Sequence, residues 1–334
     1  MITPTRVSYA VLAVTIILAK LLHLGAPLLV VLFSYFALRQ FYFFTRRKWL
    51  ALALFIVVVA GIVTAGVYFT RVAVLALPDV ADTSIPSASA WAQKRQIDLP
   101  FSDFESLRQV VVGALGEEAN YLRNFANVAK ATTTNLAFSI LGIVAAASLF
   151  FKTGLDPYRG THRVKNNLYS ICCEQVARRF RDFHRSFATV MGAQITISLI
   201  NTALTAIFLM AIRMPHATLL IVVTFLCGLV PIVGNLVSNT IIVFIALTVS
   251  LKLAISALVF LIIIHKLEYL LNSKIIGDRI RNPVWLTLIA LILGERLMGI
   301  PGLILAPVVL NYLRVEMLTV EVPAREEEVE LLSR

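Results

Sequence analysis

Leu226-Cys227-Gly228-Leu229-Val230-Pro231-Ile232-Val233-Gly234-Asn235 interrupts a long hydrophobic stretch with glycine, proline and asparagine. Further along, Gly294-Glu295-Arg296-Leu297-Met298-Gly299-Ile300-Pro301-Gly302 does the same to a second stretch. Inside a bilayer an unpaired backbone amide or carbonyl costs several kcal/mol, so broken helices persist there only where protein or a polar cavity surrounds the break. A pair of such breaks in one chain points to a transport site.

The surroundings of these segments decide the class. The chain has 334 residues, of which 59% are hydrophobic, and its mean hydropathy is +0.85. That composition defines an all-α polytopic integral membrane protein. The formal charge of +11 belongs to loops that set membrane orientation, and no nucleic-acid partner is inferred from it. Cys172, Cys173 and Cys227 lack metal spacing and read as reduced thiols. No metal cluster, phosphate loop or nucleophile and base set is present, so neither a cofactor nor an enzyme is expected.

Hydrophobic runs predict spans near Ser8–Leu24, Ala26–Phe44, Leu50–Leu77 and Thr134–Phe151. The first has the length of a signal-peptide core, but Lys20 and further apolar segments follow, so it reads as a retained span. Arg39, Arg46, Arg47 and Lys48 place the second connection, and with it the N-terminus, in the cytoplasm. Residues 78–133 then fall outside, with five basic against seven acidic residues, and 152–186 inside, with eight against three. Each carries a helical apolar stripe. The outer one runs Phe104, Leu107, Val111, Leu115, Leu122 and Phe125; the inner one runs Val164, Leu168, Cys172, Val176, Phe180, Phe183 and Phe187, with arginines opposite. The inner stripe is expected to lie on anionic lipid headgroups.

The second half predicts a helix from Ser186 to Ile212 carrying Gln194, Ser198, Asn201 and Thr205 at helical spacing, either as interhelical glue or facing a polar pathway. The first broken segment has arms Ala217–Val230 and Ile232–Leu251, too short in its first arm for a core of about 30 Å, and reads as re-entrant from outside. A helix Leu253–Leu271 returns inward. The second broken segment has arms Val284–Leu293 and Leu303–Leu313, each reaching about 15 Å, and reads as re-entrant from inside. About six full spans plus two re-entrant hairpins therefore make an inverted repeat in the C-terminal half. The domain order is 1–77 membrane helices, 78–133 external segment, 134–151 a transmembrane helix, 152–186 basic cytoplasmic segment, 187–314 transport domain and 315–334 acidic cytoplasmic tail.

Pro231-Ile232-Val233-Gly234, Lys266-Leu267-Glu268, Lys274-Ile275-Ile276-Gly277, Asn282-Pro283 and Gly299-Ile300-Pro301-Gly302-Leu303-Ile304-Leu305-Ala306-Pro307 resemble the AI-2E, or autoinducer-2 exporter, transporter family. The resemblance is specific from about Phe187 to Arg314. It implies a bacterial inner-membrane homopentamer whose transport domain moves as an elevator, linked in some members to autoinducer-2 export and in others to Na⁺(Li⁺)/H⁺ antiport. Ser273 and Tyr269 depart from the family pattern, so no substrate is carried over.

Glu268 is the leading ionisable candidate, because it ends an apolar run. It is expected either to exchange protons or bind a cation, or to pair with Lys266 or Lys274 at the cytoplasmic interface. Glu295 and Arg296 either gate the second tip or cap its turn. Asn235, Ser238 and Asn239 follow the first break and offer polar groups to a solute; Pro231, Gly234, Gly299, Pro301 and Gly302 shape the tips. The expected function is export of a small polar solute by alternating access, with Na⁺(Li⁺)/H⁺ antiport as the alternative and a membrane scaffold as the third. The bilayer, the solute and a monovalent cation or proton are the expected partners.

Overall fold

The computed structural model describes residues 4–93, 121–152, 167–231, 233–276 and 283–319. Among the described residues the helices are α1 (Pro4–Leu21), α2 (Gly25–Thr45), α3 (Lys48–Gln93), α4 (Tyr121–Phe151), α5 (Leu168–Ala211), α6 (Ala217–Gly228), α7 (Val233–Val249), α8 (Leu251–Ile276), α9 (Val284–Met298) and α10 (Ile300–Leu318). The outer stripe from Phe104 to Leu115 and the acidic tail lie outside the described residues.

The protein is an all-helical, multi-pass membrane protein. Within the described residues, α2, α5, α10 and the Lys48–Arg71 part of α3 are each long and apolar enough to cross a bilayer. Large apolar side chains such as Ile56, Val57, Ile62, Val63, Ile262 and Ile263 stand exposed, which is unfavourable in water and natural against lipid.

Helix α5 organises the rest. The Asn167 side chain accepts the Ser170 N–H at 2.8 Å, capping the first turn. From there 44 residues run on for about 66 Å, roughly twice the hydrocarbon core. From Leu168 onward the basic segment and the following span are thus one continuous helix. The later part of the apolar stripe expected on lipid is used internally: Phe180, Phe183 and Phe187, with Val190 and Met191, pack with Leu32 of α2 and with Leu305 and Val308 of α10, whereas Leu168 stands exposed.

Two other cores complete the packing. Leu209, Leu220, Ile242, Ala246, Ala257 and Leu261 join α5 to α6, α7 and α8. Leu38, Ala51, Phe55 and Phe150 join α2, α3 and α4.

The second broken segment differs from the expectation. Only Gly299 leaves the helix, at φ 64° and ψ −140°, a conformation that glycine adopts without steric cost. Ile300-Pro301-Gly302 already belongs to α10, because proline is tolerated in a helix's first turn where its missing N–H is not needed. The arms are therefore 15 and 19 residues, reaching about 22 and 28 Å rather than about 15 Å.

Candidate functional site

The first hairpin breaks deep in the packed helices, and its broken end is fully satisfied. Helix α6 ends at Gly228, leaving the carbonyls of Phe225, Leu226, Cys227 and Gly228 without helical partners. Two are taken by the turn itself, where Leu229 N–H donates to Leu226 and Val230 N–H to Cys227 at 3.3 and 2.9 Å. The other two are taken by α5. Gln194 Nε2 donates to the Gly228 carbonyl at 2.6 Å, and Ser198 Oγ donates to the Phe225 carbonyl at 2.9 Å. This polar stripe on α5 thus serves the backbone of the hairpin.

Space is as tightly used as hydrogen bonding. A methyl group on Gly228 would collide with the Ser198 side chain, and one on Gly234 would collide with the Cys227 carbonyl. The close crossing of the two arms sets Asn235, the next residue, against α8. There Asn235 Nδ2 lies 2.7 Å from both carboxylate oxygens of Glu268. Asn201 Nδ2 of α5 donates to Glu268 Oε2 at 3.1 Å.

One carboxylate therefore ties α5, α7 and α8 together. Asn201 stands ten residues before the end of α5, about 15 Å along the helix. Nearby, the Phe208 ring of α5 stacks on Phe260 of α8 with centroids 4.0 Å apart. Glu268 thus lies against the C-terminal part of α5, on its polar stripe. Of the two lysines expected to pair with it, Lys266 is exposed, and the side chain of Lys274 lies outside the described residues. Asn201 is 6% exposed, and among the described residues its Oδ1 has no hydrogen-bond partner. A half-buried carboxylate held by neutral amides, beside an unused amide oxygen, is equipped to receive a proton, a cation or a donor-rich solute.

The remaining candidates divide between the two hairpins. Pro231 is half-buried in the first turn, and Asn239 is half-buried one helical turn beyond Asn235. Ser238 is 2% exposed and donates to the Asn235 carbonyl at 3.3 Å. Glu295 and Arg296 end α9 as an exposed pair 3.7 Å apart. A methyl on Gly302 would run into the Gly294 carbonyl, so these two glycines form the crossing point of α9 and α10. Pro301 and Met298 lie against Gly25, at the start of α2. The second hairpin packs chiefly through α10 on α5 and α2, so its tip is set apart from the Glu268 cluster.

A second polar cluster was not anticipated. Buried Arg179 of α5 is paired with Glu316 of α10, which also accepts from Tyr9 Oη of α1 at 3.0 Å. The guanidinium carbon lies 3.7 Å from the centre of the Tyr9 ring. Glu316 is the sole acid of α10, and the rule that singled out Glu268 applies equally to it.

With this geometry in place, relatives of the chain become informative. Over 180 residues it is 29% identical to the Bacillus subtilis (strain 168) protein named "Putative transport protein YdbI". The alignment covers 53% of this chain and 51% of that protein, so the chain spans about half the length of the relative it matches. The sequence model for AI-2E family transporters matches residues 7–319. The chain belongs to the AI-2E transporter family.

Proposed function

We propose that this protein exports a small polar solute across a bacterial inner membrane by alternating access, with the Asn201, Asn235 and Glu268 cluster as its binding site. The observation that carries this reading is a half-buried carboxylate packed between helices, bonded to two amides from two other helices. Such a group is costly in a bilayer and is kept where it meets cargo or a coupling ion. The two hairpins support an inverted repeat, since each has a glycine crossing in which a backbone carbonyl leaves no room for a side chain. An elevator movement and a homopentamer follow from the family resemblance.

A second reading, Na⁺(Li⁺)/H⁺ antiport, is favoured by a specific feature. Among the described residues the Glu268 carboxylate takes its hydrogen bonds only from neutral amides, with His265 as a titratable neighbour, so a proton or a monovalent cation can balance its charge.

Reconstituted proteoliposomes test both. Export of a solute from a panel of small polar compounds should be lost in Glu268→Gln and Asn235→Ala. Flux that persists when Asn235→Ala, Glu268→Gln and Glu295→Gln are combined removes the proposed pathway. Dissipation of an imposed pH gradient on adding Na⁺ or Li⁺ supports antiport; a gradient indifferent to both ions rules against it.

A further inference from the structure

Helix α5 carries two sets of partners on two separate parts of its length. Between Arg179 and Met191 it holds α1, α2 and α10. Arg179 pairs with Glu316, Phe183 meets Tyr312 with ring centroids at 5.5 Å, His184 meets Tyr35 at 4.6 Å, and Phe187 meets Phe33 at 5.0 Å. From Gln194 to Leu209 it holds α6 and α8, through Gln194, Ser198, Asn201 and the Phe208 stack, and α7 packs on those two helices. Of the other helices, α3 also touches both groups, packing on α2 and along α7.

Gly192 stands at the boundary. Unlike Gly228, Gly234, Gly294 and Gly302, it is not forced by crowding, since a methyl there would meet only the Phe36 ring edge at 3.8 Å, an ordinary contact. A glycine inside a helix costs up to about 1 kcal/mol relative to alanine, so packing gives no reason for it. One turn later Thr196 Oγ1 donates to the Gly192 carbonyl at 2.8 Å, a back-bond that competes with the helical ladder and bends helices. Glycine and threonine back-bonding are both recognised causes of helix bending.

We propose that Gly192 is a hinge in α5, about which the unit α6–α8, with Glu268, turns relative to α1, α2 and α10. The proposal rests on the alternating-access reading and says where that movement bends. The Gln194 and Ser198 bonds lie wholly on one side of the hinge. They keep the first hairpin fixed to the outer part of α5, so the Glu268 cluster moves as one piece.

Nitroxide labels at Arg39→Cys on α2 and Lys266→Cys on α8 report the movement; both native side chains are exposed. The background has Cys172, Cys173 and Cys227 replaced by alanine, and the protein is reconstituted in lipid with excess unlabelled chain. The expected parent distance distribution has two components. Gly192→Ala should collapse it to one, lower flux about tenfold, and leave the thermal midpoint unchanged or higher. Thr196→Val, which removes the back-bond at nearly constant volume, should narrow the distribution in the same direction. A single narrow parent distance, or a distribution that neither substitution alters, overturns the hinge. A parent that bends at Gly192 yet moves neither solute nor cation would sink the transport reading and leave the hinge standing.

Discussion

Asn235 Nδ2 lies 2.7 Å from each carboxylate oxygen of Glu268, although 33 residues separate the two in sequence. The contact exists because the arms of the first hairpin cross at Gly234 with no space for a side chain, bringing the start of α7 against α8. Backbone economy at a break and the chemistry of a carboxylate therefore meet at one point.

Asn235 and Glu268 should be coupled in function. Asn235→Ala and Glu268→Gln are each expected to reduce transport about 100-fold, with the double variant no worse than the single ones, since either change removes the shared contact. Proteoliposome flux for the four proteins of this cycle checks it; independent, multiplying losses would show that the two residues act separately.

Gln194→Ala leaves the Gly228 carbonyl buried without a donor and is expected to destabilise the protein by about 1–3 kcal/mol. Gln194→Glu should be at least as harmful, because an ionised carboxylate cannot donate to that carbonyl. Thermal unfolding in detergent, followed by intrinsic fluorescence, measures both. A midpoint equal to that of the parent would mean that water replaces the amide.

Gly302→Ala sets a methyl against the Gly294 carbonyl. Its expected cost is about 1–3 kcal/mol from overpacking at the helix crossing, whereas Gly61→Ala, where the added methyl meets nothing, should be neutral or mildly stabilising. The difference in thermal midpoint between these two variants gives the answer without reference to any substrate.

Glu316→Ala removes the acidic partner of a buried guanidinium, which keeps its bond with Tyr312. Arg179 is 8% exposed, so the loss is expected to cost about 1.5–3 kcal/mol. Asp182→Ala breaks only exposed contacts with Arg178 and Arg185 and should change stability by less than about 1 kcal/mol. Denaturation of the two variants side by side tests the ranking.

Much of this arrangement could be read in the residues, and the failures have physical causes. Glu268 stood out because an acid at the end of an apolar run has few harmless explanations. Its partners did not, because Asn201 lies 67 residues away and comes into register only when α5 and α8 pack antiparallel. Sequence neighbours suggested lysine pairing instead. Gln194 and Ser198 were recognisable as a polar stripe, but a stripe shows which face is polar, not whether it meets solute or backbone. In the second hairpin, glycine and proline overstated the break. Gly294 and Gly302 are there for close approach and stay helical, and only Gly299, at positive φ, interrupts the chain. The inner amphipathic stripe meets protein over Phe180, Phe183 and Phe187, since periodicity cannot distinguish a lipid surface from Leu32, Leu305 and Val308.

The most direct test of alternating access at the Glu268 cluster needs no knowledge of the cargo. Asn239→Cys, one turn beyond Asn235 on α7, would be the single cysteine in a background with Cys172, Cys173 and Cys227 replaced by alanine. A membrane-impermeant maleimide would then be applied to right-side-out and to inside-out vesicles. Labelling from both sides, slowed in each case by Gly192→Ala, is the predicted result; labelling from one side only, or from neither, would contradict a site that opens alternately to the two faces of the membrane.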